Sequence, residues 1–238
     1  MYSLYIPKYK KEDSEFLIAK VIREYTKTES EINCLLSSPG YLSRTKEKID
    51  EFVENMCNLI PCKESFSIGF FNGMNGNNSL GKTTIVEYHN MCFEEKHVNT
   101  LKINCKKQLD HRKMIFFIYD SGNYFQQISM FNNSQDDKER HIDRYINNIK
   151  VKGMLIGSSN QSNATYFSIP ASKGEADLLM FTDSSFAAHI RCLIDQGSNY
   201  PDNNFNGCVL SKSIAGCMGG GEEFLKSILK DFLLNNIL

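Results

Sequence analysis

Long apolar runs are missing from this chain. No stretch approaches the roughly 20 consecutive apolar residues that a membrane-spanning helix needs, although 41% of the 238 residues are hydrophobic. That share suffices to bury a sizeable core, and the length suits one large domain or two small ones. An excess of either charge is missing too. The 27 Lys and Arg residues nearly balance 28 Asp and Glu, for a formal net charge of −1. No global positive field draws in nucleic acid, so any polyanion site must be a local patch. Eight cysteines are scattered with no CxxC and no Cys/His cluster at zinc spacing, which removes the zinc-finger classes. They read as small core hydrophobes of a reduced protein. The opening residues, MYSLYIPKYKKEDSE, lack the apolar stretch of a signal peptide. These absences lead to the expectation of a soluble, cytoplasmic protein with no membrane partner. No internal repeat is present.

What is there interleaves helical and strand patterns, the mark of an α/β fold. Two helices are predicted first, over Glu12–Lys27 and Arg44–Ile60, with Ser38-Pro39-Gly40 as a turn between them. Residues 1–62 therefore read as a helical N-terminal segment packing on the core, with no chemistry of its own. From residue 63 onward strands and helices interleave, and residues 63–238 read as a second unit with a mixed central β-sheet flanked by helices. Strands are predicted at Phe66–Phe71, Thr100–Asn104, Met114–Tyr119, Val151–Ile156 and Ala176–Phe181. Helices are predicted at Thr83–Cys92, Asp136–Ile149, Phe186–Ile194 and, after Gly219-Gly220-Gly221, Glu222–Leu238. The segment Asp195–Asn206 reads as a polar loop.

Two polar clusters stand at the edges of strongly apolar runs: His111-Arg112-Lys113 before MIFFIY, and Gly157-Ser158-Ser159-Asn160 after VKGMLI. Their side chains suit attack on a phosphodiester without a metal. Such attack needs a nucleophile at phosphorus, cations or donors for the non-bridging oxygens, and a proton for the leaving oxygen. Histidine can be nucleophile or acid, because its pKa lies near neutrality. His111 and Lys113, two apart on a strand, point to one face. Gly157 permits a tight turn, after which Ser158 and Asn160 present a hydroxyl and an amide to the same space. Glu175 begins a further strand and can hold an imidazole in one tautomer.

This order of residues resembles the phospholipase D superfamily, whose signature is HxK, a spacer, an Asp, GSxN and a later Glu. The residues that carry the resemblance are His111 and Lys113, Gly157-Ser158-Ser159-Asn160, and Glu175 in Lys173-Gly174-Glu175-Ala176-Asp177. It covers roughly residues 66–181. Asp120 follows Lys113 after six residues where the family has four, and so reads as a strand-end turn residue. Residues 120–150 intervene before GSxN. Only one HxK occurs: His89, His97, His141 and His189 have no Lys two residues on. A single motif resembles the homodimeric nucleases of the superfamily, in which two protomers face one site. The resemblance implies a phospholipase D-like fold and a hydrolase with no metal and no cofactor. It implies His111 as nucleophile in one protomer and proton donor in the other. Lys113 and Asn160 would neutralise the transition state, and Ser158 and Glu175 would orient the groups. It also implies a role in restriction or antiviral defence, alongside other defence subunits.

Lys106, Lys107 and Arg112 form a cationic approach able to track a phosphate backbone, so the expected substrate is nucleic acid, foremost DNA. Lys82 is a further candidate for gripping substrate. It belongs to a competing motif, Gly76-Asn77-Asn78-Ser79-Leu80-Gly81-Lys82-Thr83, which fits the P-loop pattern GxxxxGK[ST]. In that reading Met114–Asp120 would be the strand carrying the Mg²⁺-binding Asp, and the protein an NTPase. A third reading keeps the phospholipase D-like fold as a non-catalytic nucleic-acid-binding module.

Overall fold

The computed structural model describes residues 1–7, 17–29, 31–39, 45–60, 62–71, 79–80, 83–101, 103, 112–122, 124–125, 135–159, 166–167, 176–197, 208–213 and 220–237. Among these, the strands are β1 Tyr2–Pro7, β2 Cys34–Pro39, β3 Ser67–Phe70, β4 Ser79–Leu80, β5 Thr83–Thr84, β6 Asn99–Leu101, β7 Lys113–Tyr119, β8 Lys150–Gly157, β9 Ala176–Phe181 and β10 Val209–Lys212. The helices are α1 Leu17–Thr28, α2 Lys46–Cys57, α3 Ile85–Glu95, α4 Gln135–Asn148, α5 Ser184–Gly197 and α6 Gly220–Asn236. Eight strands make one open sheet in the order β10-β1-β9-β8-β7-β2-β3-β6. β2, β3 and β6 run parallel, and all other neighbours in this sheet are antiparallel. The expected α/β class with a mixed sheet and flanking helices is what the chain adopts.

The run MIFFIY is apolar throughout because β7 is covered on both faces. Ile115 and Phe117 join one core, with Leu155, Leu179 and Phe181 from the sheet, Tyr25 from α1, Phe52 from α2, Phe93 from α3 and Phe186 from α5. Met114, Phe116 and Ile118 join the other, with Met154, Ile142 and Tyr145 of α4, and Leu229 and Phe232 of α6. A strand buried on both faces loses the alternation of a half-exposed one. Tyr25 ties the first core together. Its ring meets Phe117 at 5.0 Å and Phe186 at 4.6 Å, and its hydroxyl donates to the Lys152 carbonyl at 2.8 Å.

The front segment differs from its sequence reading. Besides α1 and α2, residues 1–62 supply two strands of the sheet. β2 lies between β7 and β3, and β1 lies between β9 and β10. The turn expected at Ser38-Pro39-Gly40 overlaps the end of β2, which holds Ser37, Ser38 and Pro39. The sheet instead buries both serines, at 2% and 0% exposure, and Pro39 takes the last register position, where a missing N–H is tolerated. β1 carries a short period-two pattern, with Leu4 and Ile6 buried and Tyr5 exposed. β10 holds one short edge pairing and has little apolar signal of its own.

His89 on α3 is fully buried against Phe52 and Phe70, with ring centroids at 5.9 and 5.8 Å, and among the described residues neither ring nitrogen has a hydrogen-bond partner. Burial pushes its pKa from 6.5 down to about 3, against a weaker upward pull from Asp50. The unfolded chain therefore binds the extra proton between those values, and stability should fall as pH drops below 6.5. The slope is about 1.4 kcal/mol per pH unit, reaching roughly 2–3 kcal/mol at pH 4.5. Urea denaturation of wild type and His89→Leu at pH 7 and pH 4.5 checks this. The pH-dependent loss should shrink by that amount in the variant.

Candidate active site

One edge of the sheet gathers the ends that matter. Across it, Pro39 pairs with Lys113, Lys113 with Gly157, Gly157 with Asp177, and Ala176 with Pro7. The HRK cluster precedes β7 at this edge, GSSN follows β8, and Glu175 precedes β9. Three sequence segments far apart in the chain thus start from three adjacent strands. β3 and β6 also run towards this edge, since both are parallel to β2. His111, Asn160, Glu175, Lys82, Lys106 and Lys107 themselves lie outside the described residues. Lys113 and Ser158 lie within them.

Lys113 opens β7 half-buried, on the same face as Ile115 and Phe117. Residues directly opposite on neighbouring strands share a face and stand about 5 Å apart, so Lys113, Gly157 and Asp177 form one row on that face. Arg112 goes the other way. Its guanidinium carbon lies 4.8 Å from the ring centre of Phe232 on α6, a cation–π contact on the second face. Alternation along the strand therefore separates Arg112 from Lys113.

Ser158 is tied to the start of β9. Its hydroxyl accepts the Ala176 N–H at 2.9 Å and donates to the Ala176 carbonyl at 3.3 Å, and its N–H donates to that same carbonyl at 3.0 Å. The hydroxyl thus joins the end of β8 to Ala176, the residue that follows Glu175 in sequence. Beyond the turn, Tyr166 is buried, and both it and Phe167 meet Phe52 of α2 at 6.0 Å. Residues 166–167 are thereby placed over the face that Lys113 shares.

Two residues that sequence reasoning passed over complete the described part of the site. Asp177, 5% exposed, accepts the Ser159 hydroxyl at 2.5 Å through Oδ2 and the Ser159 N–H at 3.3 Å through Oδ1. Ser159 is 1% exposed. A signal for Asp177 was present: it lies in the same KGEAD segment, two residues after Glu175 in sequence. Gly157 also has a different reason from the one expected. A Cβ there would stand 2.0 Å from Asp177 Oδ1 and 2.5 Å from the Ala176 carbonyl oxygen. The glycine serves a close approach of β9, not a left-handed turn.

Asp120 sits at the far end of β7, about 20 Å along the strand from Lys113. It is 4% exposed and accepts the N–H groups of Gly122, Tyr124 and Phe125, while its own backbone exchanges hydrogen bonds with Asn33. It is a turn-holding residue, remote from the site edge. The P-loop reading fares poorly on the same geometry. A P-loop and its Mg²⁺-binding Asp belong at the C-terminal ends of parallel strands, at one edge. β3, which leads towards residues 76–83, ends at the edge opposite Asp120, and β7 is antiparallel to β2 and hence to β3. Moreover, Thr83–Thr84 pairs with Ser79–Leu80 as a small antiparallel ribbon. α3 starts only at Ile85, with Thr84 as its N-cap. Glu87 completes a capping box there, its carboxylate accepting the Thr84 N–H at 2.8 Å. Those hydrogen bonds from Thr84 hold the Glu87 carboxyl below its ordinary pKa.

No protein-family model matches the chain, and no curated protein matches it significantly. Among the described residues, no group of three or more His, Cys, Asp or Glu side chains could hold a metal ion, and no helix is long and apolar enough to cross a membrane.

Proposed function

We propose that this chain is a metal-independent phosphodiesterase that cleaves DNA as a homodimer through a phosphohistidine intermediate. The supporting observation is the row Lys113–Gly157–Asp177, because it draws the HxK, GSxN and Glu segments to three neighbouring strand ends. In the reaction, the His111 imidazole attacks phosphorus, a P–N bond forms and the P–O bond to the leaving group breaks. The partner's His111 gives the leaving oxygen its proton. Water then attacks phosphorus, losing a proton to the partner's His111, and the P–N bond breaks. Lys113 and Asn160 from both protomers stabilise the charge of the transition state, the effect on which such catalysis leans most. Ser158 and Glu175 orient the reacting groups. Lys106 and Lys107 steer the backbone, and restriction or phage defence, with other defence subunits, is the setting that the resemblance implies.

The test is cleavage of plasmid and oligonucleotide DNA with EDTA present and ATP absent. Full activity is expected there, with binding that weakens steeply as salt rises. An absolute need for Mg²⁺ and ATP would overturn the reading in favour of an NTPase. Salt-sensitive binding with no cleavage of any DNA or RNA would leave a non-catalytic binding module.

A further inference from the structure

We propose that Asp177 is a positioning residue of this site, a clamp that fixes the GSSN turn from the neighbouring strand. The geometry is specific. Asp177 opens β9 on the face that carries Lys113, and the residue between them in the row is Gly157, which has no side chain. The carboxylate leans across that gap, close enough that a Cβ on Gly157 would overlap Oδ1 at 2.0 Å. It then takes both donors of Ser159, hydroxyl and backbone N–H, inside the protein, with Ser159 at 1% and Asp177 at 5% exposure.

A carboxylate accepting two hydrogen bonds from one residue fixes that residue's backbone as well as its side chain. Ser159 directly follows Ser158, so the clamp holds the stretch of backbone from which Ser158 is presented. Ser158 has its own tie to Ala176. A misplacement of about 1 Å in such a group costs around 100-fold in rate.

The clamp rests on the phosphodiesterase reading for its kinetic arm but carries a second arm that does not. In DNA cleavage, Asp177→Ala and Ser159→Ala should each lower kcat by about 100-fold with KM unchanged. The double variant should be no worse than either single one, because both remove one interaction. Asp177→Asn should recover most of the rate. Its amide oxygen still accepts the Ser159 N–H, and its NH₂ can donate to the Ser159 hydroxyl. Without substrate, amide hydrogen exchange at Ser159 should quicken in Asp177→Ala and stay slow in Asp177→Asn. Unchanged kcat in Asp177→Ala, additive losses in the double variant, or an Asp177→Asn as damaged as alanine would each overturn the clamp. Should alanine at 177 fail to fold, Ser159→Ala, which removes a hydroxyl alone, tests the same interaction from its other side. If wild type cleaves nothing while the exchange pattern appears as stated, the clamp stands and the phosphodiesterase reading falls.

Discussion

Alanine at position 111 should reduce DNA cleavage by at least about 10⁴-fold, with thermal stability close to wild type. Loss of a covalent nucleophile in an enzyme whose residues act as a unit has effects on the order of 10⁴ to 10⁶ in kcat. Stability should hold, because β7 is anchored by its buried residues Met114, Ile115, Phe116, Phe117 and Ile118, all downstream of the substitution. A mixing experiment tests the proposed sharing of one site between two protomers. When His111→Ala protein is added to an equal amount of wild type under subunit exchange, activity should fall to about half, since only dimers with two intact chains cleave. Protomers that worked alone would keep the full rate. Single-turnover kinetics with labelled DNA should trap phosphoprotein in wild type and none in the variant.

The second large effect is expected from one methyl group. Gly157→Ala should destabilise the protein by about 2–4 kcal/mol, from overpacking and a broken buried hydrogen bond. Two of the three atoms that the new Cβ would meet, the Ala176 carbonyl oxygen and the Asp177 Cα, are backbone. Rotating the Asp177 side chain away cannot relieve them, so β8 and β9 must part at the site edge. Guanidinium denaturation gives the stability change, and cleavage should vanish with it even in the folded fraction. Combining Gly157→Ala with Asp177→Ala should restore little of the loss. A full restoration would show that the side chain alone filled the space.

The strands at the candidate site were legible because burial on both faces leaves apolar runs, unbroken in β7 and interrupted in β8 by Lys152 and Gly153. Positions of the polar clusters at their ends followed directly. Other parts were hidden for physical reasons. The serines of β2 are turn formers in isolation, and only the partner strands β7 and β3 make an extended Ser37-Ser38 favourable. The pairing of Ser159 with Asp177 depends on the register between β8 and β9, a non-local fact that no local pattern encodes. Arg112 shows the reverse case. Strict alternation places it on the face opposite Lys113, so its side of the sheet could have been read from the spacing, though its partner Phe232 could not. The P-loop pattern in residues 76–83 matched letter for letter, yet the pattern does not specify where the following helix begins. Thr84 and Glu87 start it one residue beyond the motif.

The place of β1 has a consequence for synthesis. Among the described residues, this strand pairs with β9 and β10, with Tyr2 opposite Phe181 on one side and Lys212 on the other. During translation at about 5–20 residues per second, these partners follow on the order of 10–35 s later. Until then Leu4 and Ile6 have no sheet to enter. The growing chain must carry an unmatched apolar strand until β9 emerges. Chaperone dependence during expression, and aggregation of chains truncated before β9, are the results to expect.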